Sequence, residues 1–184
     1  MEFRIIKLIN YSRIKKTSGN IDAVNFEPVT CEGYEPKGVA VIVKVLTDNR
    51  NRAAANVRNA FTKGGGNMDT SGCVAFLFEQ KGLIFVEKDK ITEERLMLLA
   101  IENGAKDLAI QKDGYEILTS PETFSKVRAV VENEGIFMAF ADVTMLPQTC
   151  TTLINPEDIK KMRKLLDLLH NEDDVQQVYH NGVW

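Results

Sequence analysis

Apolar and polar positions along this chain follow two different periods, which predict alternating strands and helices. Residues 39–46 are apolar except for one lysine, with valine at every second position, as in a buried strand. Residues 26–31 are predicted to form another strand. Residues 50–63 carry apolar side chains at helical spacing, and the glycines at 64–66 follow as a C-terminal cap. A hairpin is predicted next, with strands at 73–78 and 83–87.

The middle of the chain predicts a unit with the order helix, hairpin, helix and strand. Thr92 and Ser120 stand at N-cap positions before the two helices, and Lys112-Asp113-Gly114 is typical of a tight hairpin turn. With the strand before them, these elements approximate a split βαβ pattern. The predicted elements are a helix at 92–104, hairpin strands at 108–111 and 115–118, a helix at 120–135 and an extended segment at 136–146.

The end of the chain predicts one more helix and a final strand. Asn155-Pro156-Glu157-Asp158 supplies an N-cap, a first-turn proline and two acids near the positive end of a helix. The following residues are apolar at helical spacing up to Leu169, and residues 175–180 form the last predicted strand. The polar stretch 147–152 has no clear period and is the predicted linker. The complete order of elements favours an α+β fold.

Composition limits the classes of protein to consider. The 184 residues are 44% apolar and 27% charged, which is typical of globular proteins, and the net charge of −3 means that any nucleic-acid contact requires a local basic patch. Three widely separated cysteines argue against a disulfide framework or zinc cluster and fit a reducing compartment. No membrane helix or secretory signal is evident, so we expect a cytoplasmic protein with no membrane partner. Organelle import stays open, since a cleaved presequence leaves no trace.

Few residues favour catalysis or metal binding. His170 and His180 have no cysteine or serine nucleophile near them in sequence, so capping and surface roles are favoured over catalysis. Glu172-Asp173-Asp174 lacks the alternate spacing of metal loops and is interpreted as a solvated acidic turn. The glycine run follows a helix, whereas phosphate-binding loops precede one. We therefore predict a protein that is not an enzyme and has no metal, no cofactor and no small-molecule substrate.

The strongest site prediction is the start of the helix at residue 50. There a strand delivers two arginines and two asparagines to a helix N-terminus, where backbone N–H groups and cations can face an anion together. The structural alternative also stays open: Asp48 or Asn49 caps the helix, and the arginines form a solvated face. Cations continue along the helix, and Lys37 lies nearby if the preceding strands pair. The candidate nucleic-acid-binding residues are Asn49, Arg50, Asn51, Arg52, Arg58, Lys63 and Lys37.

Three ordered motifs in the chain resemble the YebC/PmpR family, and the resemblance covers nearly everything from about Ile14 onward. The motifs are Glu32-Gly33-Tyr34-x-Pro36-x-Gly38 with Thr47-Asp48-Asn49-Arg50-Asn51-Arg52, then Val57-Arg58-x-Ala60-Phe61-x-Lys63-x-Gly65-Gly66-Asn67 with Gly72-x-Val74-Ala75-Phe76, and finally Asp173-Asp174-Val175-Gln176-x-Val178-Tyr179-His180-Asn181.

The resemblance implies a basic helical N-terminal domain and two small α/β sandwich domains, in which a ferredoxin-like domain interrupts the middle domain. Residues 1–19 would be a remnant basic helix of the N-terminal domain, 20–90 and 150–184 the middle domain, and 91–149 the insert. Most of the helical domain is expected to be missing, which puts strong nucleic-acid binding in question. Glu35 and Lys37 stand where the family usually has glycine, which implies an altered loop.

The resemblance also implies a function. Members of the family are described as DNA-binding transcriptional regulators, so DNA is the partner that the resemblance implies first. Others, including a mitochondrial translational activator of cytochrome c oxidase, act on the ribosome during difficult translation such as proline stretches. The alternatives are therefore a translation factor that binds ribosomal RNA, and a protein-interaction module that binds no nucleic acid.

Overall fold

The computed structural model describes residues 25–35 and 37–184, with the backbone alone at Lys90. The chain divides into two compact units, with boundaries after Phe78 and after Leu146. The first unit therefore contains segments from both sides of the second. The remnant helix predicted at 1–19 lies outside the described residues.

The described residues form ten strands and four α-helices. In chain order they are β1 (Glu27–Tyr34), β2 (Ala40–Thr47), α1 (Arg50–Gly64), β3 (Asn67–Asp69), β4 (Phe78–Glu87), α2 (Glu93–Glu102), β5 (Ala105–Ile110), β6 (Gly114–Thr119), α3 (Pro121–Asn133), β7 (Met138–Pro147), β8 (Thr151–Thr152), α4 (Pro156–Asn171), β9 (Val175–His180) and β10 (Gly182–Val183).

An antiparallel sheet in the order β3-β1-β2-β9 forms the centre of the first unit. Alternate residues of β2, Val41, Val43 and Val45, are at most 2% exposed because helices α1 and α4 cover that face of the sheet. The apolar stripes predicted for both helices are the buried ones. From the helices, the core contains Ala53, Val57, Ala60, Phe61, Met162, Leu165, Leu166 and Leu169.

The ends of these helices are fixed by the residues that the sequence indicates. The Asn155 side chain accepts a hydrogen bond from the backbone N–H of Glu157 over 2.9 Å at the start of α4. Gly65 has a φ of 85°, and the Gly66 N–H donates to the carbonyl oxygen of Phe61 over 2.8 Å. The glycine run is therefore a C-terminal cap of α1, as predicted, because glycine adopts this left-handed conformation without steric cost.

Helices α1 and α4 lie side by side and run in opposite directions. In the middle of α1, Asn56 Nδ2 donates to Glu172 Oε2 over 3.0 Å, just after α4 ends. At the end of α1, a Cβ built on Gly64 would lie 2.7 Å from the Cβ of Leu165, in the middle of α4. The middle of α1 therefore lies beside the end of α4, the last turn of α1 lies beside the middle of α4, and the first turns of α4 extend past the end of α1.

The second unit has the chain order β4-α2-β5-β6-α3-β7 and the sheet order β5-β6-β4-β7. This is the ferredoxin-like arrangement, so the predicted α+β fold class is confirmed. Its core joins one sheet face to both helices, and the Ser120 side chain caps α3 by accepting from the Thr123 N–H over 3.3 Å. The largest completely buried side chains of this unit include Leu83, Ile84, Leu96, Ile117 and Glu116.

Two local predictions are wrong. Residues 73–78 and 83–87 do not form a hairpin, because β4 is one continuous strand from Phe78 that pairs with β6. The residues before it are instead held in turns by Glu32. The short strand β3 was missed, as was β8 inside the predicted linker 147–152, because two or three residues show no period in sequence.

The division of the chain also differs from the domain boundaries predicted at 90/91 and 149/150. Strand β4 pairs with β6, so residues 79–90 join the second unit. At the other boundary, the Gln148 N–H donates to the Leu77 carbonyl oxygen over 2.8 Å within the first unit. The backbone hydrogen bonds between β4 and β6 therefore set the first boundary, after Phe78.

Candidate nucleic-acid interface

Asn49 begins helix α1 and uses its side chain for that purpose. Its Oδ1 accepts a hydrogen bond from the backbone N–H of Arg52 over 3.0 Å, and its own N–H donates to Thr47 Oγ1 over 3.0 Å. This is the N-cap arrangement that satisfies an otherwise unpaired helix donor. The Asn49 side chain therefore has the capping role that the structural alternative predicted for Asp48 or Asn49.

Arg52 is tied to acidic side chains. Its guanidinium pairs with Asp48 and, over 3.4 Å, with Asp174 Oδ2, which also accepts from Thr47 Oγ1 over 2.8 Å. The hydrogen bond to Asp48, followed by that to Asp174, raises the pKa of Arg52. Glu172 lies at the same end of α1, so Arg52 faces a predominantly acidic turn. Its charge is largely balanced within the protein.

Arg50 and Arg58 have a different environment. Burial raises the pKa of the Cys31 thiol on β1, and the positive charges of Arg58 and Arg50 oppose that rise. Both arginines therefore lie near Cys31, on the β1 side of α1. Both are exposed and have no ion pair within the described part of the chain. Asn51 is also exposed and lies on the same helical stripe as Arg58.

The remaining two candidates lie at the opposite end of α1. Lys63 is exposed in its last turn. Lys37 is exposed in the loop between β1 and β2, and its Nζ lies 3.8 Å from Asp158 Oδ2 in the first turn of α4. The seven predicted residues consequently do not form one cluster. Two arginines lie along the β1 side, one arginine is paired, and two lysines lie at the far end of the helix, Lys63 in its last turn and Lys37 in the β1–β2 loop.

Sequence reasoning missed a basic group in α4. The exposed cations are Lys160, Lys161, Arg163 and Lys164, within five consecutive residues of that helix. The signal was present, since four cations occur within residues 160–164, but this segment was interpreted only for its apolar stripe. The antiparallel packing of α1 and α4 is what makes this group relevant, because it brings the first half of α4 towards the end of α1 that carries Lys63.

A buried acid underlies this region. Glu35 is 1% exposed, its Oε2 accepts from the Lys37 N–H over 3.1 Å, and its Oε1 has no hydrogen-bond partner among the described residues. Burial raises the pKa of Glu35, the hydrogen bond from Lys37 opposes the rise, and the negative charge of Asp158 adds to it. The pKa of this buried carboxyl group therefore lies above its usual range, so Glu35 stays neutral up to a higher pH than an exposed glutamate does.

We expect Glu35→Gln to increase the free energy of unfolding at neutral pH by about 1 kcal/mol, since it removes a buried charge with one unpaired oxygen. The folded-state pKa of Glu35 lies above its ordinary value of 4.5. Protonation of Glu35 therefore stabilises the folded state. This stabilisation is complete at acidic pH and is lost as the pH rises through the folded-state pKa. Urea unfolding at neutral and acidic pH measures the difference, and the exposed Glu157→Gln is the control. A loss of stability at neutral pH would contradict this expectation.

Other kinds of site receive little support. Among the described residues, no group of three His, Cys, Asp or Glu side chains is arranged to hold a metal ion. The surface role predicted for His180 is wrong, since the residue is 4% exposed. None of the helices in the described part of the chain combines the length and apolar character that crossing a membrane requires.

Comparisons with known proteins agree on one relationship. The family description "TACO1/YebC second and third domain" matches residues 26–182. A "Probable transcriptional regulatory protein" from Clostridium perfringens (strain SM101 / Type A) is 54% identical over 169 residues, covering 92% of this chain and 69% of the relative. A protein of the same name from Agathobacter rectalis is 52% identical over 170 residues, covering 91% and 70%. The crystal structure of the conserved hypothetical protein Aq1575 from Aquifex aeolicus matches with a TM-score of 0.76 and 43% identity, covering 92% and 70%.

Proposed function

Since this chain belongs to the TACO1/YebC family, we propose that it regulates gene expression by binding nucleic acid and that it is not an enzyme. The observation that carries the proposal is the pair of exposed arginines, Arg50 and Arg58, on a helix that contains no acidic residue. Relatives that are named as transcriptional regulators favour duplex DNA as the partner.

Arg50 and Arg58 suit contacts with phosphate groups. Guanidinium groups bind phosphate oxygens through two parallel hydrogen bonds, and the ion pairs that would compete for them are absent around these two residues in the described structure. Such contacts position a protein on a duplex without reading its sequence. Asn51 lies on the Arg58 stripe and adds a neutral donor and acceptor beside them. We assign Arg52 a mainly structural role, because it joins the start of α1 to Asp174.

We expect Arg50→Ala/Arg58→Ala to reduce the slope of log affinity against log salt by about 2, because each lost phosphate contact removes about one unit. Affinity for a short DNA duplex of mixed sequence should fall on the order of tenfold or more at low salt. Fluorescence anisotropy over a salt series measures both quantities. The control is Lys126→Ala/Arg128→Ala, which removes the same charge from exposed positions of α3. Unchanged DNA and ribosome binding by the Arg50/Arg58 variant would show that these arginines are structural.

A ribosome-associated translation factor is the second candidate function. It is favoured by the same observation, since contacts to the phosphate backbone fit RNA as well as DNA, and structured RNA is recognised mainly by shape and backbone. Co-sedimentation with ribosomes, compared with a gel shift on duplex DNA, separates the two functions. Absence of binding in both assays at low salt would instead indicate a protein-interaction module.

A further inference from the structure

The two ends of the α1–α4 layer differ in charge. At the end where α1 begins, Arg50 and Arg52 are accompanied by Asp48, Glu172, Asp173 and Asp174. At the other end, lysines predominate: Lys63 at the end of α1, Lys37 in the β1–β2 loop, and Lys160, Lys161 and Lys164 in α4. We call these five residues the lysine surface. Lys63 and Lys37 were among the residues selected from the sequence, whereas the three lysines of α4 were not.

Helix geometry places the lysines of α4 together and towards α1. Lys161 precedes Leu165 by one turn, and Leu165 packs against Gly64 of α1. Lys164 lies one turn after Lys160 and beside Lys161 on the helix surface. Arg163 is different, because it follows the partly buried Ile159 by one turn and so lies on the other flank of α4.

The lysines of the two other elements approach the same place. Lys63 immediately precedes Gly64, and it lies on the flank of α1 that carries Asn56, which is bonded to Glu172 after α4. Lys37 pairs with Asp158 at the start of α4 over 3.8 Å. Three separate elements therefore contribute cations to one surface.

The acids in this region neutralise only part of that charge. Asp158 is 7% exposed and pairs with Lys37, and Glu35 is 1% exposed beneath the loop. Glu157 is the exposed acid of this first turn. The three α4 lysines have no ion pair within the described residues. Their exposed ammonium groups can therefore bind an external anion.

We propose that the lysine surface is a second contact site for the phosphodiester backbone of a nucleic acid, separate from Arg50 and Arg58. Lysines suit this role because a flexible ammonium group acts as a point charge towards phosphate and requires no fixed geometry. The site binds backbone and does not read bases, so it accepts duplex DNA and duplex RNA. The inference rests on the proposed function, since it extends the same activity to a further surface.

The test compares two variants of the full chain that change net charge equally. Lys160→Gln/Lys161→Gln/Lys164→Gln removes three cations from the lysine surface, and Lys106→Gln/Lys126→Gln/Arg128→Gln removes three exposed cations from the second unit. The probes are a short labelled DNA duplex and an RNA duplex of the same sequence, titrated between about 50 and 200 mM salt. Circular dichroism and thermal unfolding confirm that both variants are folded.

We expect the α4 triple variant to reduce the salt slope by 2 to 3, at about one unit per lost contact, while the matched variant changes it little. Affinity at low salt should fall by at least about tenfold on the preferred probe, which also identifies DNA or RNA as the source of the phosphates. Lys164→Gln should weaken binding more than the neighbouring Arg163→Gln. When combined with Arg50→Ala/Arg58→Ala, the losses should add, because the two sites share no partner.

Three results would overturn the proposal, and they differ in meaning. If the unmodified chain binds but the α4 triple variant binds with unchanged affinity and slope, the lysine surface is not a contact site and the proposed function stands. If the unmodified chain binds neither duplex at low salt, both the proposed function and this extension are wrong. Equal losses in both triple variants would show a general effect of net charge and would also contradict a local site.

Discussion

Replacing Glu32 with alanine is expected to lower the free energy of unfolding of the first unit by about 4 kcal/mol, since charge-assisted hydrogen bonds contribute roughly 1.5–3 kcal/mol each. The side chain is 3% exposed, and its two carboxylate oxygens accept hydrogen bonds from the backbone N–H groups of Gly72, Val74 and Ala75 over 2.8, 2.9 and 2.9 Å. Alanine leaves these donors without a partner. Two of them are only partly buried and can bind water, which keeps the expected loss below the full sum.

Two matched variants separate the contribution of the charge from that of the loop. Glu32→Gln retains one acceptor oxygen and should lose about half as much. Tyr34→Phe removes a single neutral bond, from the Tyr34 hydroxyl to the Cys73 carbonyl oxygen over 2.9 Å, and should cost about 1 kcal/mol. Urea unfolding followed by circular dichroism measures all three variants. A loss below 1 kcal/mol for Glu32→Ala would show that these three hydrogen bonds contribute little to the stability of the fold.

This carboxylate also explains a failed prediction. The segment before β4 has the apolar composition of a strand, so local pattern predicts a hairpin there. Its backbone donors are instead satisfied by Glu32, which lies 42 residues before Val74 in the chain. A side chain that distant gives no periodic signal. The elements that the pattern predicted well, such as α4 and β9, carry their caps and apolar stripes within their own residues.

The candidate site shows the same limit of local pattern. The motif Asp48–Arg52 predicts both a cap and an anion site, and the capping role of Asn49 is local and visible in sequence. The pairing of Arg52 with Asp174 joins residues 122 positions apart, so sequence reasoning counted a balanced charge as a free one. Conversely, Lys63 and the lysines of α4 become neighbours only through the packing of Gly64 against Leu165. Charge can be read from sequence, but the pairing that cancels or combines it depends on the tertiary fold.

The pH dependence of stability should be dominated by His180 between pH 6.5 and about 4. This side chain is 4% exposed at the end of β9 and stacks on Trp184 with ring centroids 5.5 Å apart. Burial lowers the pKa of His180 from 6.5 to about 4, and the nearby His170 acts in the same direction. A backbone hydrogen bond with Gly182 opposes this shift, but burial outweighs it, so the buried ring still resists a proton.

The folded state therefore resists a proton that the unfolded chain accepts. Because the folded-state pKa lies below the unfolded one, stability is complete above pH 6.5, falls as the pH drops from 6.5 to about 4, and then levels off. The expected loss is about 3 kcal/mol, at roughly 1.4 kcal/mol for each unit of difference in pKa. His180→Phe retains the stack on Trp184 and cannot titrate, so its stability should lack this fall. Urea unfolding at a series of pH values, followed by fluorescence of Trp184, the single tryptophan of the chain, measures both proteins. Parallel pH profiles would mean that other groups govern the acid response.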